Sequence, residues 1–235
     1  MNKEKLSSFI KDELLKDVSE EVLNKFETFE NLLLEWNEKF NLTAIKDKEE
    51  ILEKHFIDSL YLLKYLDIKK HSSFLDVGTG AGFPGIVLAI MKPGVTFTLV
   101  ESNNKKVSFI NEVRSKLHLN NVFILKGRIE ELTALRSNFD YASARAVSPL
   151  NILIELIIPY LKVKGIFIAY KGSMVDIEIK QSSRALHCLD SELIQKETYS
   201  LPYSKDGRSL LFIEKKKENK KKYPRPYGEI VSKPL

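Results

Sequence analysis

The chain has 235 residues, 43% hydrophobic and 29% charged, with 10 Gly, 8 Pro and 1 Cys, which suits a globular protein of one full α/β domain plus a smaller appendage. This composition excludes collagen-like, low-complexity and disulfide-stapled classes. The net charge of +5 sits at one end, because eight basic residues against three Glu between Glu214 and Leu235 account for all of it.

Residues 19 to 40 carry Val22, Phe26, Phe29, Leu33, Trp36 and Phe40 at alternating spacings of four and three, which places all six on one helical stripe. Ser19 supplies an N-cap. A second helical pattern runs through Ile51, Leu52, Phe56, Leu60, Leu63 and Leu66, after a loop around Asn41, Leu42 and Thr43. Residues 1–70 therefore read as a helical cap.

From Ser73 the texture changes to short apolar runs that end in Gly, Pro or acidic residues and alternate with helical stretches, the signature of βαβ units and a parallel sheet. The predicted strands are Ser73–Val77, Thr96–Glu101, Val122–Lys126, Tyr141–Ala144 and Gly165–Tyr170. Predicted helices cover Pro84–Met91, Lys105–Leu117, Arg128–Leu132 and Leu150–Leu161. Two further strands, Lys196–Leu201 and Leu210–Lys215, are close enough in sequence to form an antiparallel edge. Residues 71–217 thus read as a Rossmann-like domain and 218–235 as a basic tail. The most apolar run, Ile152 to Leu161, contains Glu155 and Pro159 and is well short of the roughly 20 residues of a membrane span. No apolar signal-peptide core precedes Lys11, Asp12 and Glu13. With Cys188 alone, no disulfide framework or cysteine cluster for a metal is possible, and a cytoplasmic protein without membrane contact is expected.

The segment from Phe74 to Gly85 is a strand running into a glycine-rich turn and then a helix, a cradle that lets a ligand approach backbone closely. Gly80 to Gly85 also fits the dinucleotide pattern G-x-G-x-x-G, so the glycines alone leave NAD and S-adenosylmethionine both open. Register favours the second: Gly80 lies three residues past Val77, whereas an acidic-x-G-x-G-x-G pattern starts at Asp76 without a gap. Glu101, at the end of the second strand, is placed to accept hydrogen bonds from both ribose hydroxyls, as either cofactor would require. An acidic residue after the third strand, Glu130, and the antiparallel edge fit a methyltransferase better. The fold expected is Rossmann-like α/β, class I S-adenosylmethionine-dependent methyltransferase: a mostly parallel seven-stranded sheet with an antiparallel edge and an N-terminal helical cap. Its predicted cofactor residues from this pattern are Asp76, Gly78, Gly80, Gly82, Glu101 and Glu130.

Five segments in order resemble the bacterial ribosomal RNA small-subunit methyltransferase G family, also called glucose-inhibited division protein B. They are Trp36 to Thr43, His55 to Ser59, Asp76 to Gly85, Ser143 to Val147 and Lys222 to Arg225. The resemblance implies methylation of guanine N7 at position 527 of 16S ribosomal RNA, with S-adenosylmethionine as donor and S-adenosylhomocysteine as product. It implies cofactor contacts at Gly78, Phe83, Ile129, Glu130 and Arg145. Ile129 stands where the family often has alanine, which matters only if the contact is not through backbone.

Guanine N7 carries an in-plane lone pair, so attack on a methyl sulfonium needs no general base; alignment within about 3 Å is the expected source of rate. An Arg spanning O6 and N7 would cover the nucleophile, so the base should be read on its Watson–Crick edge after leaving its stack. Arg145, at the end of the fourth strand, is the candidate for positioning the base or its phosphate, the alternative being a salt bridge to a neighbouring acid. Lys171 is a candidate phosphate contact. His55 and Asp58 lie one turn apart and are expected to share a structural hydrogen bond; two such groups are too few for a metal site, and none is predicted. Asn37, Asn41 and Thr43 are read either as a polar loop over the pocket or as helix capping.

In the tail, Lys220, Lys221, Lys222 and Arg225 stand beside Tyr223 and Tyr227, combining phosphate charges with stacking faces. Deletion after Lys217 is expected to weaken RNA binding and leave cofactor affinity intact. The expected partner is 16S rRNA, in the small subunit or an assembly intermediate, and the protein is expected to be monomeric. Two rival readings are a small-molecule methyltransferase and a non-catalytic RNA-binding ribosome assembly factor.

Overall fold

The computed structural model describes residues 1–173 and 175–235. Five parallel strands, β1 (Ser73–Val77), β2 (Thr96–Glu101), β3 (Val122–Lys126), β4 (Phe139–Arg145) and β5 (Leu161–Gly172), join an antiparallel pair, β6 (Ser191–Ser200) and β7 (Gly207–Lys215). They form one seven-stranded sheet in the order β3-β2-β1-β4-β5-β7-β6. The order reverses between β1 and β4, the switch point at whose carboxyl ends open α/β sheets bind ligands.

The first three strands match the predicted bounds, because each is a short apolar run with a clear stop. Both β4 and β5 begin earlier than predicted: β5 opens with Lys162 and Lys164, whose charges hide the strand, and its pairing with β4 shifts register between Phe139 and Tyr141. The predicted helix at Leu150–Leu161 divides into α8 (Leu150–Ile157) and a 3-10 turn (Ile158–Tyr160), as Pro159 lacks the amide an α-helix interior needs. The helix expected at Arg128–Leu132 is only a 3-10 turn over Ile129–Glu131.

At the N-terminal end, α1 (Lys3–Leu14) is capped by Asn2 and buries Leu6, Phe9, Ile10 and Leu14. Next comes α2 (Glu20–Phe40), capped by Ser19 through Val22 N as its sequence predicts. The second helical pattern is built in pieces: α3 (Lys48–Ile51), a π-helical turn (Leu52–Ile57), α4 (Asp58–Leu60) and α5 (Leu62–Tyr65). The remaining helices are α6 (Gly85–Met91), α7 (Asn104–Lys116), α9 (Val175–Gln181), α10 (Ser183–Cys188) and α11 (Tyr227–Ser232).

Strand alternation sorts the side chains onto two faces. Phe74, Phe97 and Leu99 join α6, α7 and the N-terminal helices in one apolar cluster. Leu75, Val77, Ala142 and Ala144 join α8, α10 and α11 in the other. The N-terminal cap therefore shares a core with the sheet. Residues 218–235 are likewise not a free tail, since Tyr223 and Ile230 are buried in the second cluster.

Candidate functional site

The alternation that points Phe74 towards α6 also points Asp76 there. Asp76 is fully buried; it accepts a hydrogen bond from Ser143 Oγ at 2.7 Å and from the Gly85 amide at 3.0 Å. Burial raises its carboxyl above the ordinary range, and the Ser143 hydroxyl and Gly85 amide oppose that shift. The first amide of α6 is thus held from within the protein rather than aimed at a ligand. Gly85 is required here by close approach, because a Cβ would lie 2.3 Å from Leu99 Cδ2 and 2.7 Å from Asp76 Oδ2.

Two cavities open at the carboxyl edge of the sheet. The smaller, about 100 Å³, is lined by Gly78, Glu101, Ile129 and Glu130 together with Gly127, Arg128, Val147, Leu156 and Tyr227. Gly78 has φ +66°, and a Cβ on it would sit 2.7 Å from Val147 Cγ2, so glycine serves both the turn and the fit. Glu101 Oε2 accepts the Gly80 amide at 3.0 Å and Oε1 the Asn103 amide at 2.8 Å. Each carboxylate oxygen keeps a lone-pair site for a further donor such as a sugar hydroxyl. Ile129 is buried beside the cavity, and its carbonyl is taken by the Tyr160 hydroxyl. A nucleoside fits this donor and acceptor set: a carboxylate for the sugar, apolar Ile129 and Leu156 for the base.

Not every residue predicted for the cofactor faces that cavity. Asp76 lies beneath the turn. Gly82 faces the helices, where a Cβ would meet Ile86 Cγ1 at 2.7 Å and Phe29 Cζ at 3.3 Å. Phe83 is buried between cap and sheet, stacked on Phe29 at 4.9 Å and on His55 at 4.7 Å between ring centroids. Gly80 reaches the site through its bond to Glu101.

The larger cavity, about 400 Å³, lies between the cap and the ends of β4, β5 and β7, and includes Arg145, Lys171, His55, Asp58, Tyr199 and Arg208 in its walls. Arg145 Nη1 donates to Asp58 Oδ2 at 3.1 Å and to the Lys54 carbonyl at 3.1 Å, and its guanidinium lies over the Phe83 ring. The salt bridge to a neighbouring acid, the alternative considered for Arg145, is thus present. Asp58 is buried and also accepts from the Tyr199 hydroxyl at 2.8 Å, with Arg208 Nε 3.8 Å away. Burial raises the hydroxyls of Tyr170 and Tyr199 well above their ordinary value, so both stay neutral.

His55 and Asp58 do not bond each other; both turn to Arg145. Arg145 Nη2 is 3.3 Å from His55 Nδ1, and arginine only donates, so Nδ1 accepts and Nε2 carries the proton towards Thr43 Oγ1 at 2.9 Å. Burial, then the Arg145 charge, push the imidazole down to about 3. Asn37 Oδ1 accepts the Thr43 amide at 2.9 Å, and Asn41 ends α2 in the left-handed region. The block from Asn37 to Thr43 therefore caps a helix and fixes the loop that holds His55.

Lys171 is occupied by Glu178 at 2.7 Å and the Ser148 carbonyl at 2.9 Å. Lys220, Lys221 and Lys222 are exposed. Arg225 differs from them: its Nη2 lies 2.6 Å and its Nε 2.7 Å from the two oxygens of fully buried Glu155. That pairing assigns Arg225 to anchoring the C-terminal segment, a correction to its expected phosphate role. Nothing in the local sequence marks Tyr199 and Arg208 as site residues, and the tail pattern marks Tyr227 only as a stacking face. Among the described residues, no group of three His, Cys, Asp or Glu could hold a metal ion, and no helix is long and apolar enough to cross a membrane.

Residues 22–205 match the protein family described as GidB, rRNA small subunit methyltransferase G. The proteins named Ribosomal RNA small subunit methyltransferase G of Lachnoclostridium phytofermentans and Desulforamulus reducens are 44% and 43% identical over 222 residues, covering 93% of this chain and 92% of each relative. Among solved structures, M. jannaschii TYW2 in complex with AdoMet has a TM-score of 0.58 at 15% identity, covering 73% of this chain and 79% of that one. A SAM dependent methyltransferase from Aquifex aeolicus has a TM-score of 0.56 at 19% identity, covering 74% and 96%. At these identities the structural likeness speaks to the fold, which is Rossmann-like and class I, as expected.

Proposed function

The chain belongs to the rRNA small subunit methyltransferase G family, and from that premise we propose that it methylates N7 of guanine 527 in 16S ribosomal RNA, using S-adenosylmethionine and releasing S-adenosylhomocysteine. The observation that carries the cofactor half is the convergence of Gly78, Glu101, Ile129 and Glu130 on one cavity at the switch point. Glu101 binds the ribose hydroxyls, Ile129 and Leu156 flank the base, and the Gly78 turn allows close approach. The cofactor supplies a methyl group on a sulfonium.

The chain's own residues then have to present the nucleophile. The larger cavity offers tyrosine and arginine faces of the kind that receive an unstacked base. Arg145, fixed by Asp58, His55 and Phe83, positions the base at the end of β4; it acts by placement, because N7 has no proton to lose. His55, Tyr170 and Tyr199 stay uncharged at neutral pH, so that wall does not change its charge there. The Lys220 to Lys222 run meets RNA phosphates outside the cavity.

Incubation with radiolabelled cofactor and naked 16S rRNA, small subunits or assembly intermediates tests the proposal, with the labelled nucleotide mapped afterwards. Label as 7-methylguanosine at position 527 is expected in at least one RNA state. Label confined to a metabolite would favour a small-molecule methyltransferase, and RNA binding without transfer would favour an assembly factor. A folded Arg145→Ala protein that transfers methyl at the unaltered rate would remove the positioning role of Arg145.

A further inference from the structure

The C-terminal segment returns to the site from which its sequence separates it. Arg225 is clamped on Glu155, Arg136 Nη1 donates to the Lys221 carbonyl at 2.8 Å and Nη2 to the Tyr223 carbonyl, and Asn219 Nδ2 donates to the Leu189 carbonyl at 2.6 Å. Ile230 is fully buried in the cluster that includes Leu156. These anchors leave Tyr227, the first residue of α11, among the residues that line the smaller cavity with Glu101 and Ile129.

We propose that Tyr227 is a cofactor-binding residue, its ring forming the outer wall against which the adenine of the cofactor packs. The proposal rests on the cofactor reading above and replaces the expectation that deletion after Lys217 leaves cofactor affinity intact, since that deletion removes Tyr227. With the sugar on Glu101 at the end of β2, the base extends towards Gly127 and Ile129 beyond β3, which is the side Tyr227 covers. The Arg128 guanidinium lies 5.2 Å from the Tyr227 ring centroid, so the two side chains pack together at the edge of that cavity. The cavity of about 100 Å³ is well below the roughly 300 Å³ or more of pockets that enclose whole ligands. A nucleoside therefore needs more room than this cavity gives, and a turn of the Tyr227 and Arg128 side chains supplies it. Arg128 is exposed, and Tyr227, at 36%, retains enough exposure to turn without unpacking the core. The anchoring ion pair sits two residues before the ring, so the backbone stays in place while the ring moves.

Calorimetric titration of S-adenosylhomocysteine into the full-length protein tests this. Tyr227→Ala is expected to weaken binding about tenfold, in the range of one lost base–aromatic stack, while Tyr227→Phe keeps the ring and binds within twofold. A Lys220, Lys221 and Lys222 triple alanine variant is expected to bind like the unaltered chain, separating the wall from the charge beside it. Unchanged affinity in Tyr227→Ala, alongside lost affinity in Glu101→Gln, would overturn the role of Tyr227 and leave the cofactor site standing. No binding by the unaltered protein would overturn the cofactor reading itself, and this proposal with it.

Discussion

The two cavities at the carboxyl edge of the sheet are built by opposite means. Around Gly78 and Glu101 the site is made mostly from residues at strand ends, where backbone amides and one carboxylate suffice. Around Arg145 it is made from long side chains that cross from cap to sheet and neutralise one another. The first arrangement depends on what cannot be added to the glycines. The second depends on what cannot be removed from a buried charge cluster.

That contrast predicts the largest effect at Asp58. Removing its carboxylate leaves the largely buried Arg145 without its counter-charge, a change that costs about 3–5 kcal/mol when a buried pair is broken. Asp58→Ala should show this loss in urea unfolding; a loss below about 1 kcal/mol, the scale of an exposed pair, would mean that the cluster is solvated. Adding a methyl group at the other cavity's support should cost less. Gly85→Ala drives a Cβ into Leu99 and Asp76 and is expected to cost about 1–3 kcal/mol as overpacking, while an unchanged melting temperature would show that the turn yields.

His55 sharpens the contrast through pH. Its folded value of about 3 lies below its ordinary 6.5, so stability is full above pH 6.5 and falls as the unfolded chain takes up a proton that the folded chain refuses. The contribution falls by about 1.4 kcal/mol per pH unit within that window. His55→Gln should flatten the pH dependence of unfolding there; an identical slope in both proteins would remove His55 as its source. The smallest effect on the fold is expected for Lys220, Lys221 and Lys222 changed together to Gln. Stability should stay within about 0.5 kcal/mol, as for ordinary surface substitutions. The logarithmic salt slope of RNA binding should fall by about 2 if all three meet phosphates of a single strand, and an unchanged slope would take the lysines out of the interface.

The same contrast governs what the sequence makes legible. Strands β1, β2 and β3 and the turn between Val77 and Gly85 are local patterns, so their placement and Glu101 at the strand tip follow from spacing. Asp76 shows the limit of that logic. Its position in the motif suggests a ligand contact, yet strand alternation turns it under the loop towards Gly85. Phe83 belongs to the same motif but packs on cap residues Phe29 and His55, a contact that no local pattern encodes. The Arg145 cluster draws Asp58, Tyr199 and Arg208 from three distant elements. Tail charge is legible in number but not in use: Lys215 is buried on the Leu161 carbonyl and Arg225 is paired with buried Glu155, while Lys220 to Lys222 remain exposed.

A crystal of the protein soaked with S-adenosylhomocysteine tests the central claim most directly. The account predicts ligand density in the cavity between Gly78, Glu101 and Ile129, with both ribose hydroxyls within hydrogen-bond distance of the Glu101 carboxylate. Density in the cap-facing cavity alone, or a ribose turned away from Glu101, would contradict it.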